Sequence, residues 1–360
     1  MNLLLFPFSV KYISVAETLI KKDNITEVIA CTPKAWNIGL NNICVSDGIL
    51  LTTNITESLE KCDTIQLLPC GQFFMKSLKD IAEKALKAGK KVICSADLPD
   101  EYAAKLKEAY NDSFMLVRDN YSPMTSSINT LIRHDSIVVG IGELFDKIDD
   151  ISLTVNVTES FKAKGYRVLT ISKDMCAYIL GYNVYLDNIF RMNENEDMKI
   201  RRLNSYISEL ENKYNPDIIV LQFPDGMLKV SPLHNDGFGT RSFMLSQAVM
   251  LDHFMLITPQ LMDEFYTDSS LEKLNRIFSA RYGIEIDSIF IKDIMFDAEY
   301  VDNMRETKYI TSDAKNTDRL IENISYTGDT IKFYPLHDKD ACDAAVDNCI
   351  DILSSICEEF

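Results

Sequence analysis

Lys147 is the residue whose neighbours most suggest phosphate chemistry. It closes the stretch Val138-Val139-Gly140-Ile141-Gly142-Glu143-Leu144-Phe145-Asp146-Lys147, where an apolar run passes into a loop with two glycines. A helical pattern over 150–164 and a strand-like run over 167–171 follow. A phosphate loop of the form GxxxxGK[ST] has this layout: glycines let backbone N–H groups wrap the phosphates, lysine neutralises them, and the hydroxyl binds magnesium. Aligned on Lys147, however, Ile141, Asp146 and Ile148 stand where Gly, Gly and Ser/Thr belong, and Gly140 and Gly142 only flank the first position. Asp146 would set a carboxylate beside the phosphates, a repulsion of a few kcal/mol. Asp149 and Asp150 add negative charge at the helix start, where carboxylates satisfy unpaired N–H groups and favour the helix dipole. The companion signal is the apolar run 217–223 followed by Pro224-Asp225-Gly226; it has the place of a metal-side acid, and a plain turn explains it equally well. In order, these signals describe descent from a P-loop fold with Lys147 and Asp225 as its last polar remnants. The expected anion or nucleotide site is Gly140, Gly142, Lys147 and Asp225, with ATP or GTP and Mg as cofactors only if so divergent a loop still works.

A second group is His234, Asn235, Asp236 and Arg241, in a loop with Gly237 and Gly239 that falls where a strand's carboxyl end opens a crevice. A tight solvated loop is the competing reading. Trp36, the single tryptophan, lies in the loop 32–39 and is a candidate partner contact, with core packing as the alternative. His134 and His253 stand beside acids and read as surface residues, while His337-Asp338 is ambiguous. The nine scattered cysteines form no CxxC or close Cys/His pair, so zinc and iron-sulfur chemistry have no support and reduced core thiols are expected. No serine has a GxSxG context.

The elements that must position these residues alternate between apolar runs and amphipathic stretches. Over 1–120 the pattern gives strands near 3–8, 27–32, 48–53, 64–68 and 90–94, with helices at 10–22, 73–88 and 101–110. Periodicity lapses over 121–135, around Pro123 and a Ser/Thr/Asn cluster, which reads as a linker. A second series occupies 136–360, with strands near 137–141, 167–171, 217–223, 254–258, 287–291 and 331–334, and a looser segment at 297–330. This alternation implies parallel sheets covered by helices. The expected fold is α/β: two Rossmann-like parallel-sheet domains, the second resembling a P-loop NTPase. The first lacks GxGxxG after its opening strand, so dinucleotide binding has no support there.

Composition narrows the partners. A net charge of -17, from 54 acidic against 37 basic residues, repels phosphate backbones and anionic lipid, so neither nucleic acid nor membrane is an expected partner. Acidity favours a basic peptide or protein surface, though it also serves solubility. The opening Met1 to Phe8 lacks a positive leader and is interrupted by Pro7, so it reads as a buried strand rather than a signal peptide. With no apolar run of membrane length, a cytoplasmic location is expected.

Several segments together resemble a known family. They are the LLLFPF opening, the Pro33 to Gly39 loop with Trp36, Cys62-Asp63, GxGExxDK at 140–147, GYRVLTIS at 165–172, NPDIIVLQFPDG at 215–226, and the FG-bearing loop 235–239. Over nearly its full length the chain resembles the peptide maturation system proteins encoded in natural-product cassettes of anaerobic bacteria, beside a Cys-rich precursor peptide and a radical-SAM maturase. The resemblance implies an accessory or scaffold protein that binds precursor peptide or maturase, and it supplies no catalytic residues. Two alternatives stand beside it. One is a nucleotide-dependent transferase or ligase using Lys147. The other is a small-molecule enzyme in a crevice between the domains, using His234, Asn235, Asp236 and Arg241.

Overall fold

The computed structural model describes residues 1–36, 45–71, 74–121, 130–148 and 151–358. The chain divides into two compact units, Met1–Pro123 with Asp174–Asn188, and Met124–Lys173 with Ile189–Phe360. Asp174–Asn188 groups with the first unit, although sequence reading placed it within the second domain.

In the first unit the strands are β1 (Asn2–Phe6), β2 (Glu27–Cys31), β3 (Ile49–Thr52), β4 (Thr64–Leu67), β5 (Lys91–Cys94) and β6 (Phe114–Leu116). All pair in parallel, in the order β3-β2-β1-β4-β5-β6. This is the doubly wound order of Rossmann domains. The α-helices among the described residues of this unit's main segment are α1 (Ile13–Ile20), α2 (Ile55–Lys61), α3 (Met75–Lys87) and α4 (Asp100–Tyr110). On α3, Leu78, Ile81, Ala82, Ala85 and Leu86 are buried, a stripe at helical spacing that packs with Leu4, Ile65 and Val92 of the sheet. Asp174–Asn188 is tied on by polar contacts: Lys22 Nζ donates to the carbonyls of Ile179 and Leu180, and the buried Gln66 amide donates to the Cys176 carbonyl.

The second unit has β7 (Ile137–Glu143), β8 (Val168–Ile171), β9 (Ile218–Gln222), β10 (His253–Pro259) and β11 (Ser288–Lys292), a hairpin β12 (Ile294–Phe296) and β13 (Tyr309–Thr311), and β14 (Lys332–Pro335). Its parallel sheet runs β14-β11-β10-β7-β9-β8. The helices are α5 (Ser152–Ala163), then α6 (Leu186–Phe190), along which the chain passes from the first unit into the second after Asn188, and α7 (Glu196–Tyr214), α8 (Thr240–Ala248), α9 (Asp268–Tyr282), α10 (Ala298–Met304), α11 (Ala314–Glu322) and α12 (Lys339–Glu358). One face of the sheet buries Val139, Ile141, Met255 and Ile257 against Leu153, Val157 and Phe161 of α5 and Cys342, Ala345, Val346 and Cys349 of α12. Counted within the unit, β7 is the first strand, central in the sheet, and the segment after it leads into the first helix. That is the place of the phosphate loop in P-loop proteins, and the second unit resembles that fold.

The looser segment 297–330 holds α10, β13 and α11. Cys31, Cys62, Cys94, Cys176, Cys342 and Cys349 are buried free thiols and Cys70 is half-buried. Burial pushes the thiols of Cys94, Cys342 and Cys349 up to about 12, which makes them poor nucleophiles. Cys44, Asp149, Asp150 and the centre of the expected linker lie outside the described residues.

Candidate functional site

The segment that follows β7 is built around a carboxylate. Asp146 Oδ1 accepts from the backbone N–H of Gly226 at 2.6 Å, and its Oδ2 accepts from that of Gly237 at 2.5 Å. One aspartate thus clamps both ends of the loop 226–237. Ile148 is buried, and its carbonyl accepts from Lys292 Nζ at 2.8 Å. Leu144 N–H is taken by the Ile257 carbonyl. Gly140 and Gly142 belong to the strand β7 and not to the loop. There a Cβ on Gly142 would lie 2.7 Å from the Phe254 ring, and one on Gly140 2.9 Å from it, so both glycines make room for a core aromatic.

Lys147 lies half-exposed with a positive φ of 64°, and its ammonium pairs with Asp236 at 3.1 Å and Glu306 at 3.4 Å. Partial burial opposes its charge, but the two carboxylates outweigh that and raise the ammonium above its ordinary value. Asp236 in turn accepts from Thr307 N–H and hydroxyl, both at 2.8 Å. Burial works against that carboxylate, yet Thr307 and Lys147 hold it below the usual range. Asp225 caps the next helix: its Oδ2 accepts from Arg241 N–H at 2.9 Å, in the first turn of α8. Burial raises its carboxyl group. Among the described residues no three His, Cys, Asp or Glu side chains gather to hold a metal ion. A triphosphate with Mg does not fit these residues, because the loop's acid, its lysine and its hydroxyl position are spent on internal contacts or lost.

A lysine held in the left-handed region costs roughly 1 kcal/mol relative to glycine, and a half-exposed ion pair returns about 0–1 kcal/mol. Lys147→Gly should therefore leave the melting temperature within a few degrees of the parent. A collapse of stability in thermal denaturation would show that the pairs with Asp236 and Glu306 carry more than surface electrostatics.

The same edge carries an ion pair that sequence reading missed. Glu143, the last residue of β7, is buried and meets Lys173 Nζ at 2.6 Å just past β8. Between them at the end of β9, buried Gln222 accepts from Ser172 Oγ at 2.5 Å and Lys173 N–H at 3.2 Å. The signal lay in the sequence: β7 and β9 end in Glu143 and Gln222, and β8 is followed directly by Ser172 and Lys173, where the carboxyl edge of a parallel sheet places its ligands and ties.

The loop 226–241 is held throughout. His234 is buried, its Nδ1 sharing a 2.7 Å hydrogen bond with Ser231 Oγ, and Asn235 N–H donates to the Arg305 carbonyl. Arg281 donates to the Phe238 carbonyl, and the Tyr282 hydroxyl to that of Met227. The Arg241 guanidinium lies over the Phe190 ring at 5.7 Å. His234, Asp236 and Arg241 are thus tied into the loop's own framework. The exposed residues of this stretch include Pro232, Asn235, Thr240 and Arg241, and among them two are large and apolar: Leu233 is 65% exposed and Phe238 56%, with Lys229 Nζ over the Phe238 ring at 4.4 Å. Sequence reading counted the polar residues and passed over these two.

Trp36 packs edge-on against Phe74, with ring centroids 4.5 Å apart, and the remainder of its loop lies outside the described residues. Two histidines depart from the surface reading. His134 is buried as a side chain and contacts Glu211 at 2.9 Å. His253 is 1% exposed at the start of β10, facing Asp287 at 3.6 Å. His337 bridges Asp293 at 3.1 Å and Asp318 at 3.4 Å.

Fold and site together define an α/β protein of two units, each with a parallel six-stranded sheet, the second P-loop-like with a carboxylate clamp in the segment after its first strand. No family model and no curated protein matches the chain. Among solved structures it is similar to a DUF1611 family protein from Anabaena variabilis, at 13% identity and a TM-score of 0.54, covering 96% of this chain and 99% of that one. That likeness shows the fold. Chloroplast FtsY from Physcomitrella patens matches at 13% identity and TM-score 0.28, covering 62% of this chain and 74% of its own. A GTPase from Pyrococcus abyssi in apo form matches at 12% and 0.29, covering 61% and 97%. No described helix is long and apolar enough to cross a membrane.

Proposed function

We propose that this chain is a non-catalytic accessory protein in the maturation of a ribosomally synthesised peptide, and that it holds the precursor peptide or its radical-SAM maturase. The observation that carries this reading is the clamped loop 226–241. Asp146 and Asp236 spend the polar groups of the former phosphate site on anchoring it, so that Leu233 and Phe238 are held out to solvent on a rigid base. Rigid apolar anchors of this kind dominate binding energy at interfaces, because little conformational freedom is lost when they are covered. Net charge of -17 suits a basic partner surface. A nucleotide-dependent transferase has no phosphate grip to use. An enzyme built on His234 has a buried imidazole already bonded to Ser231.

The test is co-expression of the full chain with its genomic neighbours. The parent should copurify with the precursor peptide or the maturase. The double variant Leu233→Asp, Phe238→Ala should lose at least about tenfold in retention, the effect of roughly 1.4 kcal/mol at a contact, with an unchanged melting temperature. Equal retention by the double variant, or copurification with neither neighbour, rejects the proposal. Magnesium with ATP or GTP at about millimolar concentration, enough to detect binding as weak as roughly 4 kcal/mol, should give no heat; a heat abolished by Lys147→Ala would restore the enzyme reading.

A further inference from the structure

The opposite end of the second sheet carries a different site. Where β7 and β10 begin, a cleft of about 400 Å³ opens between residues 131–136 and residues 246–252, with Asn204 of α7 at its base. Its volume falls within the range of small-molecule pockets. Both walls are fixed. The buried Asn204 side chain accepts from Ile132 N–H at 2.8 Å and donates to the carbonyls of Ile132 and Ala248 at 2.7 and 2.9 Å, joining the two walls. Glu211 Oε1 accepts from the N–H groups of Asp135 and Ser136 at 2.9 and 2.7 Å, and its Oε2 contacts His134 Nδ1. Asp252 Oδ2 accepts from Val138 N–H at 2.8 Å. A cleft so braced loses little freedom when a ligand enters.

The lining has one distinguishing chemistry. The inward His134 is flanked by Arg133 and Asp135, exposed residues two apart that both line the cleft. They stand two positions apart on one wall of the cleft. They carry opposite charges, yet among the described residues neither makes an ion pair with the other or with any other side chain. Beside them Leu131, Ile132 and Met250 line the cleft at 55%, 44% and 78% exposure. An anion acceptor, a cation acceptor and an apolar wall at one opening are complementary to a small zwitterion with a hydrocarbon arm. We infer that this cleft binds a free apolar α-amino acid, its carboxylate on the Arg133 guanidinium, its ammonium on the Asp135 carboxylate, and its side chain against Leu131 and Met250. A guanidinium suits the carboxylate because its two N–H groups match two oxygens. This site is separate from the loop 226–241, and its occupancy does not depend on the partner reading above.

Calorimetry and thermal shift on the full chain decide it, with L-leucine and L-methionine as probes against two analogues of leucine that each lack one charge: 4-methylpentanoate and 3-methylbutylamine. Leucine or methionine should raise the melting temperature and bind at least about tenfold more tightly than either analogue, the worth of one charged contact. Arg133→Gln should abolish the preference for leucine over the amine while keeping its preference over the acid. Asp135→Asn should do the reverse. Both substitutions are at exposed positions, so their unliganded melting temperatures serve as the folding control. No binding of either amino acid at about 10 mM, equal binding of leucine and its analogues, or affinity unchanged in both variants overturns the assignment.

Discussion

Gly226→Ala is expected to destabilise the second unit by about 3 kcal/mol or more, read as a lowered denaturant midpoint. A Cβ at Gly226 would collide with backbone N and Cα of Asp146 and the carbonyl carbon of Phe145. Backbone atoms cannot swing aside as a side-chain end can, so the two loops must separate, and overpacking of this kind costs at least roughly 1–3 kcal/mol before any other loss. Separation also breaks the hydrogen bond from Gly226 N–H to Asp146 Oδ1. Hydrogen bonds to charged groups contribute about 1.5–3 kcal/mol each. Asp146→Ala attacks the same clamp from the other side and leaves the N–H groups of Gly226 and Gly237 without their acceptor. It should cost about 2–4 kcal/mol, and Asp146→Asn, which keeps one acceptor oxygen, should fall between parent and alanine. If Gly226→Ala unfolds with the parent's midpoint, the loops are not in contact as described, and the rigid presentation of Leu233 and Phe238 fails with them.

This clamp marks the limit of what the sequence made legible. The strands could be read because parallel strands covered on both faces are continuous apolar runs; β9 and β10 are buried at every position. Helix α2 was missed, although Asn54 and Glu57 form a capping pair three residues apart, with Asn54 accepting from Glu57 N–H and donating to its carboxylate. The hairpin of β12 and β13 was missed because its strands have three residues each, too short for a periodicity to register. That the segment departs from the phosphate-loop pattern at Asp146 and Ile148 was legible in the sequence. What replaced it was not, because the partners of Asp146 are the backbone N–H groups of glycines 80 and 91 positions away. Backbone partners leave no residue type to recognise. Gly140 and Gly142 misled for a related reason: a glycine required by a core ring, here Phe254, reads the same as one required by a phosphate.

His253 shows the same limit and gives the second large prediction. In sequence its neighbour is Asp252, which suggested a solvated pair; in the sheet Asp252 turns to Val138 N–H, and the imidazole meets Asp287 from β10's neighbouring segment. Desolvation lowers the His253 imidazole from an ordinary 6.5 to about 4, and neither ring nitrogen has a hydrogen-bond partner. Desolvation also raises the Asp287 carboxyl from 3.8 to about 6, against a hydrogen bond from Phe254 N–H at 2.7 Å. The signs oppose. The depressed imidazole gives stability that is present above pH 6.5 and lost as pH falls towards 4. The raised carboxyl gives stability that is present below pH 3.8 and lost as pH rises through about 6. Each amounts to about 3 kcal/mol, at one pKa unit per 1.36 kcal/mol, and less for Asp287, whose side chain remains 27% exposed. In the parent the two slopes offset over the window from pH 4 to 6. Asp287→Asn keeps an acceptor for Phe254 N–H and should expose the imidazole's slope, losing roughly 2–3 kcal/mol relative to the parent between pH 6.5 and 4. His253→Leu should expose the opposite slope and gain stability towards acid over the same range. Denaturant midpoints of the three proteins across that range decide it. Parallel pH curves would mean that both groups keep their ordinary ionisation, and hence that the start of β10 is open to water and not buried.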